Sequence, residues 1–247
     1  MKALIPRFFV PSALATGMLV SLPEKTAHHA ARVLRMVADD ALILFNGTGG
    51  EYHGKLASVG KSQVTVTLHT FIDTERESPL RTTLIQALSA ADRMDYTVQK
   101  AVEAGVHHIQ PVLSARCVAR LSGERADKRR AHWQQIVVST CEQCGRNRVP
   151  EVAPLISFEQ AMTNAADPTA RRLLLSPDAT QRLRDLHIPA GSSITLLVGP
   201  EAGFTDQEEE QSAASGFEAV SLGPRIFRTE TAALVAICAL QAIYGDL

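Results

Sequence analysis

The sequence lacks a charge imbalance: its 247 residues carry 25 basic and 26 acidic side chains, a formal net charge of -1, and 45% of them are apolar. A disordered chain needs low hydrophobicity with a large net charge, and a protein that coats nucleic acid indiscriminately needs a broadly positive surface, so both are excluded. A localised basic face is not. Lysine is scarce, with 6 against 19 arginines, and the planar arginine fork suits phosphates and base edges better than a point charge does. Four cysteines, Cys117, Cys141, Cys144 and Cys238, are few and irregularly spaced, which fits a reducing compartment rather than a disulfide framework. Long apolar runs are also missing. The longest, residues 232–243, falls short of the roughly 20 residues that span a bilayer. Residues 8–20 follow Lys2 and Arg7 in loose imitation of a secretory signal, but Pro6 and Pro11 interrupt them, so strand and turn are expected there. These features imply a soluble, cytoplasmic protein with room for one large or two unequal domains.

What is present divides by period. Over residues 1–73 the apolar residues come in short bursts. Ala41-Leu42-Ile43-Leu44-Phe45 runs into Asn46-Gly47-Thr48-Gly49-Gly50, and Val64-Thr65-Val66-Thr67-Leu68 alternates strictly. This is the strand and turn pattern of a small β-barrel, with one helix expected over residues 24–36. A polar stretch, residues 73–79, has linker composition. Over residues 74–247 apolar strands (83–88, 109–113, 173–175, 194–198 and 219–222) alternate with helices (93–104, 128–144, one from Thr205, and 229–244). Gly105 stops the first helix, and Thr205 with Glu208 has capping-box spacing. Such alternation predicts an α/β domain with a mostly parallel sheet, whose ligands sit beyond the carboxyl ends of the strands.

Three of those strand ends carry unusual loops: Leu174-Leu175-Ser176-Pro177, then Gly199-Pro200-Glu201-Ala202-Gly203-Phe204-Thr205, then Leu222-Gly223-Pro224-Arg225-Ile226-Phe227-Arg228-Thr229-Glu230-Thr231-Ala232. Neither a P-loop nor a G-x-G-x-x-G fingerprint occurs, so a nucleoside-like ligand held by bare backbone is favoured over a cradled phosphate.

The second and third loops resemble the signature of the ribosomal small-subunit RNA methyltransferase E family, of the SPOUT superfamily. Pro6-Arg7-Phe8-Phe9, Val33-Leu34-Arg35-Met36, Ala104-Gly105-Val106 and Glu142-Gln143-Cys144-Gly145-Arg146 match the same family in order, so the resemblance covers the whole chain. It implies a PUA-like RNA-binding β-barrel (1–73) followed by a trefoil-knotted α/β methyltransferase domain (74–247). It also implies a homodimer and transfer of a methyl group from S-adenosyl-L-methionine to N3 of a specific uridine (m3U1498) in 16S rRNA of the small ribosomal subunit. The cofactor pocket implied comprises Leu174, Leu175, Gly199, Pro200, Glu201, Gly203, Leu222, Gly223, Ile226 and Arg228. The family usually has glycine where this chain has Ala202, which would strain the loop if that position needed positive φ.

Methylation at an imide nitrogen requires loss of its proton, hence a base or a cation that stabilises the resulting anion. Arg228 and Arg225 are candidates for the cation, Glu201 and Glu230 for the base; Glu230 can equally serve the N-terminus of the closing helix. Between Arg116 and Arg148 eight basic residues face three acidic ones, a concentration that points to RNA. Arg7, Arg32, Arg35, Arg129, Arg130, Arg146 and Arg225 are the expected RNA contacts. Cys141 and Cys144 lack the second ligand pair that structural zinc needs, so no metal is expected. Glu208-Glu209-Glu210 reads as a solvated acidic first turn. Two other readings stay open: a non-catalytic RNA-binding module, and a small-molecule enzyme that uses a nucleotide cofactor.

Overall fold

The chain folds as two units in this computed structural model, which describes residues 5–60, 63–118, 120–164, 169–189 and 191–247. One unit is Met1–Glu77 with Val138–Val149; the other is Ser78–Val137 with Pro150–Leu247.

In the first unit β1 (Arg7–Phe9), β2 (Leu19–Ser21), β3 (Ala41–Phe45), β4 (Glu51–Val59) and β5 (Val64–Ile72) form one sheet in the order β1-β3-β4-β5-β2. Period two decides its inner face: Val64, Val66 and Leu68 are buried beside Leu42, Leu44, Leu56 and Phe8, while Thr65 and Thr67 are half-exposed. Register shifts at His53/Gly54 and Leu56/Ser58 bend the long β4–β5 pair. The helix expected over 24–36 is shorter. Helix α1 (Glu24–His28) continues as a π-helical turn over His29–Val33, and it ends there because Arg35 adopts φ 53°.

Two arginines expected at the RNA are instead spent inside this unit. Arg7 donates to Glu51 at 2.5 Å and to Asn147 Oδ1 at 2.6 Å, and Arg146 pairs with Glu77 through Nε at 2.8 Å. Their side chains are only 7% and 6% exposed. A buried arginine with its carboxylate in place has no fork left to offer a phosphate. Cys141 is buried as well, and burial pushes its thiol up to about 12, away from the metal-binding thiolate.

Glu51 is the anionic centre of this cluster. Burial alone would raise its carboxyl, but hydrogen bonds from Arg7, Arg76 and His53 outweigh that and hold it at about 2, below the ordinary 4.5. A carboxyl depressed by folding contributes stability above pH 4.5 and loses it as pH falls towards 2. Urea midpoints measured across that window should therefore fall steeply for the native protein. Glu51→Gln should flatten the dependence and cost about 3–5 kcal/mol at neutral pH, because Arg7 is left buried without its counter-charge. Parallel pH profiles would show that the cluster carries no such load.

From residue 78 on, β6 (Arg81–Ala87), α2 (Ala91–Glu103), β7 (His108–Leu113), α3 (Gly123–Cys144, which belongs to the second unit as far as Val137), β8 (Glu151–Val152), β9 (Ile156–Ser157), α4 (Phe158–Asn164), β10 (Arg171–Leu175), β11 (Ser193–Val198), α5 (Asp206–Ala214), β12 (Glu218–Val220) and α6 (Thr229–Tyr244) follow one another. All strand pairs are parallel, in the order β12-β10-β11-β6-β7-β8, with β9 also on β7. Buried apolar runs such as Leu196-Leu197-Val198 fit strands covered on both faces. Helix α2 buries Met94, Val98, Ala101 and Val102, one face at helical spacing, and packs on α6. Helix α3 starts five residues earlier than expected, since its exposed first turns carry almost no apolar residue to mark them.

Candidate functional site

Because β10, β11 and β12 are parallel neighbours, the loops that leave them emerge at one end of the sheet. With the start of α6 they enclose a cavity of about 410 Å³, within the size range of small-molecule sites. Leu175, Gly199, Pro200, Glu201, Gly203, Leu222, Gly223, Ile226 and Arg228 all line it, as does Arg225. Residues separated by up to 53 positions are thus brought together as the sequence implied. Leu174 is not among them: side chains alternate along a strand, and while Leu175 faces the cavity Leu174 is buried in the core. Glu230 is also outside the lining. It sits in the first turn of α6, where its buried Oε2 has no hydrogen-bond partner among the described residues.

Two glycines shape the cavity for different reasons. Gly203 has φ 69°, and a Cβ built there would meet no protein atom within 4 Å, so the side chain it lacks would project into open space. Gly199 is tight instead, with the Phe204 ring 3.3 Å from where a Cβ would lie. Ala202 is free of the strain considered above, because the left-handed conformation falls on Gly203 and the only non-glycine residues with positive φ among those described are Arg35 and Asp39.

Four anchors hold the Gly199–Phe204 loop, and sequence reasoning missed most of them. The Thr229 hydroxyl donates to the Gly199 carbonyl at 2.5 Å and accepts from Gln86 Nε2 at 3.0 Å. Gln86 lies fully buried in β6, so the start of α6 and the central sheet fix the loop through one polar relay. Arg116 Nη1 donates to the carbonyl of Phe204 at 2.8 Å and of Ala202 at 3.3 Å. Glu201 Oε1 accepts from the Ala90 backbone N–H at 2.9 Å and from Arg93 at 3.0 Å, capping the start of α2, which has no cap of its own. Beyond the loop, Thr205 and Glu208 form the capping box reciprocally. Glu208 is not solvated as expected: it is buried and its Oε1 also accepts from Ala115 N at 2.7 Å. No motif marks Gln86, Arg93 or Arg116, because each acts through a partner distant in sequence.

The cavity wall is mostly apolar, with Leu175, Val198, Phe204, Leu222 and Ile226; its charged residues are Arg225, Arg228 and Glu209 together with Arg93, which pairs with Glu201 at 3.0 Å. Arg225 and Arg228 are exposed, and the Arg228 carbonyl accepts from Ala232 N at 2.7 Å, which fixes that residue's backbone at the head of α6. The other expected RNA contacts are scattered. Arg32 and Arg35 are exposed beyond α1. Arg129 lies 3.9 Å from Asp95, and Arg130 is tied to the Val152 carbonyl at 2.7 Å and to Glu151 at 3.1 Å.

Residues 76–241 match the RNA methyltransferase domain family, and residues 22–68 match the RNA methyltransferase PUA domain family. Ribosomal RNA small subunit methyltransferase E of Buchnera aphidicola is 34% identical over 248 residues, covering 100% of both chains. The Bacillus subtilis protein of the same name is 31% identical over 90% of this chain and 89% of its own. Among solved structures, ribosomal RNA small subunit methyltransferase E from Neisseria gonorrhoeae, bound to S-adenosyl methionine, superposes with TM-score 0.92 at 43% identity, covering 98% of this chain and 99% of that one. A Legionella pneumophila methyltransferase with bound SAM gives TM-score 0.94 at 36% identity, covering 99% and 100%.

Proposed function

Since the chain belongs to the ribosomal RNA small subunit methyltransferase E family, we propose that it methylates 16S rRNA with S-adenosyl-L-methionine, at N3 of one uridine, the site that becomes m3U1498. The cavity at the three strand ends carries this reading. Its size, its apolar wall and the open space where Gly203 lacks a side chain fit a nucleoside-bearing cofactor held by backbone, with Gly199–Gly203, Leu175 and Leu222–Gly223 as its cradle. When bound, that cofactor supplies an activated methyl group whose leaving group is neutral.

The chain's own residues then have three tasks. The anchored loop positions the reacting partners, which is where much of the rate of such a displacement originates. The apolar wall excludes water and strengthens charges at the cavity edge. Arg228, supported by Arg225, stabilises the uracil anion left when the imide proton departs. Glu201 is committed to α2 as an anchor and Glu230 lies outside the cavity lining, so neither carboxylate is held at the reacting group and the imide proton leaves to solvent.

Dimerisation accounts for the outer side of α6. Leu234, Val235 and Cys238 are half-buried there, Ile243 is 48% exposed, and Ile226 beside the site is 83% exposed. A second copy of the chain would cover this apolar surface. The N-terminal part, residues 1–73, serves in RNA binding, with Arg32 and Arg35 as its exposed arginines. No helix among the described residues is long and apolar enough to cross a membrane, and the proposed ribosomal substrate supports a cytoplasmic location.

Mass spectrometry of 16S rRNA from cells lacking the protein tests the assignment. N3-methyluridine should disappear and return on complementation; its persistence at full level would reject the proposed reaction.

A further inference from the structure

The eight basic residues between Arg116 and Arg148 are contiguous in sequence but serve different ends in space. Arg116 holds the cofactor loop, Arg120 donates to the Ala115 carbonyl at 3.1 Å, Arg130 is tied to Val152 and Glu151, Arg146 pairs with Glu77, and Arg148 pairs with Glu75 at 2.7 Å. Three remain. Arg125, Lys128 and Arg129, with His132 and Leu121, line a cleft of about 360 Å³ on one side of α3. Positions 125, 128, 129 and 132 recur at helical spacing, so they form a single stripe of α3, with Leu121 just before the helix completing the lining.

The acidic groups around this stripe leave it positive. Glu124 reaches Lys128 at 2.7 Å, but the two side chains are 81% and 74% exposed, a pair that solvent screens and a ligand displaces at little cost. Asp95 of α2 is already engaged. It accepts from Trp133 Nε1 at 3.1 Å and bonds His132 Nε2 at 2.8 Å, and Arg129 is a further 3.9 Å away. Its effect is to fix the His132 ring at the cleft rather than to neutralise all three cations. Asp127, the remaining acid of this stretch, is exposed and lines no part of the cleft.

We infer that this cleft on α3 binds phosphodiester groups of the RNA substrate, an inference that rests on the reading of the protein as an rRNA methyltransferase. Charge complementarity singles out the occupant: two guanidinium forks and an ammonium within about one turn of helix match the spacing of anions along a backbone and offer nothing to read a base. The cleft contributes affinity and orientation, and sequence selection belongs to the cavity.

The full-length protein carrying Arg125→Ala, Lys128→Ala and Arg129→Ala, all on the surface, tests this. Binding to an unmethylated 16S rRNA transcript across a salt series should show the slope of log affinity against log salt reduced by about 2, since each lost phosphate contact removes about 0.7–0.9. Affinity at 0.15 M salt should drop about tenfold or more, with cofactor affinity unchanged by calorimetry. Arg130→Ala should leave the slope as it was, because that guanidinium is already bound to protein. An unaltered slope in the triple variant would overturn the inference, as would an effect confined to assembled subunits, which would indicate a protein partner. If the native protein methylates the transcript while the slope stays constant, only the cleft is rejected; if it transfers no methyl group to the transcript or to small subunits, the reaction itself is.

Discussion

Arg228→Ala is expected to slow single-turnover methyl transfer by about 10²–10³-fold, the usual loss when one preorganised donor to a developing anion is removed. Cofactor affinity should change by no more than a few-fold. The reason lies in how the residue is held. Its backbone is fixed by the first hydrogen bond of α6, and the residue is exposed at the cavity lining. On the proposed reaction, a guanidinium there meets a charge that exists only when the uracil imide has lost its proton. Ground-state binding of the cofactor needs no such charge, so the effect should fall on the rate constant rather than on affinity. Arg228→Lys should recover part of the rate, since the charge returns without the planar fork. A near-native rate in the alanine variant, with RNA saturating, would remove Arg228 from the chemistry and leave Arg225 or Arg93 to be tested in its place.

Gly203→Val is expected to lower cofactor affinity by more than about 100-fold. Two effects combine. At φ 69° a β-branched side chain is strained by roughly 1–2 kcal/mol, and its methyl groups would enter the open space that the cavity provides for the ligand. No protein atom lies within 4 Å of the added Cβ, so the variant should fold with a melting temperature only a few degrees lower. Gly203→Ala separates the two contributions: it adds most of the strain and little of the bulk, and should lose less affinity than valine. Calorimetry on both variants decides the matter. Native affinity in the valine variant would place the cofactor elsewhere.

Most of the fold was legible because its signals are local. Alternation in residues 64–68 and the strand and helix bursts after residue 80 report one-sided or two-sided burial, which depends on neighbours a few residues away. The expected helix over 229–244 and the Thr205–Glu208 cap match the structure for the same reason. Short elements such as β8, β9 and α4 were not legible, since two to seven residues carry too little periodicity to register.

Side-chain roles followed a different rule. The three loops at the cavity could be singled out in advance because parallel strand order delivers them to one sheet end, whatever their separation along the chain, and the family resemblance supplied the residues within them. What each charged residue does there could not. Arg7 meets Gly145 at a separation of 138 residues, Arg93 meets Glu201 at 108, and Gln86 meets Thr229 at 143. A charge run in sequence carries no information about such partners, so Arg7, Arg130 and Arg146 read as RNA contacts until the tertiary structure paired them with Glu51, Glu151 and Glu77. The sequence by itself determined which segments become strands and helices and which loops gather at the sheet end, because burial periodicity and strand-end position are short-range properties. Only the tertiary structure decided which arginines are free for a phosphate and which carboxylate is an anchor, because desolvated charges are settled by whichever counter-charge long-range packing brings within about 3 Å.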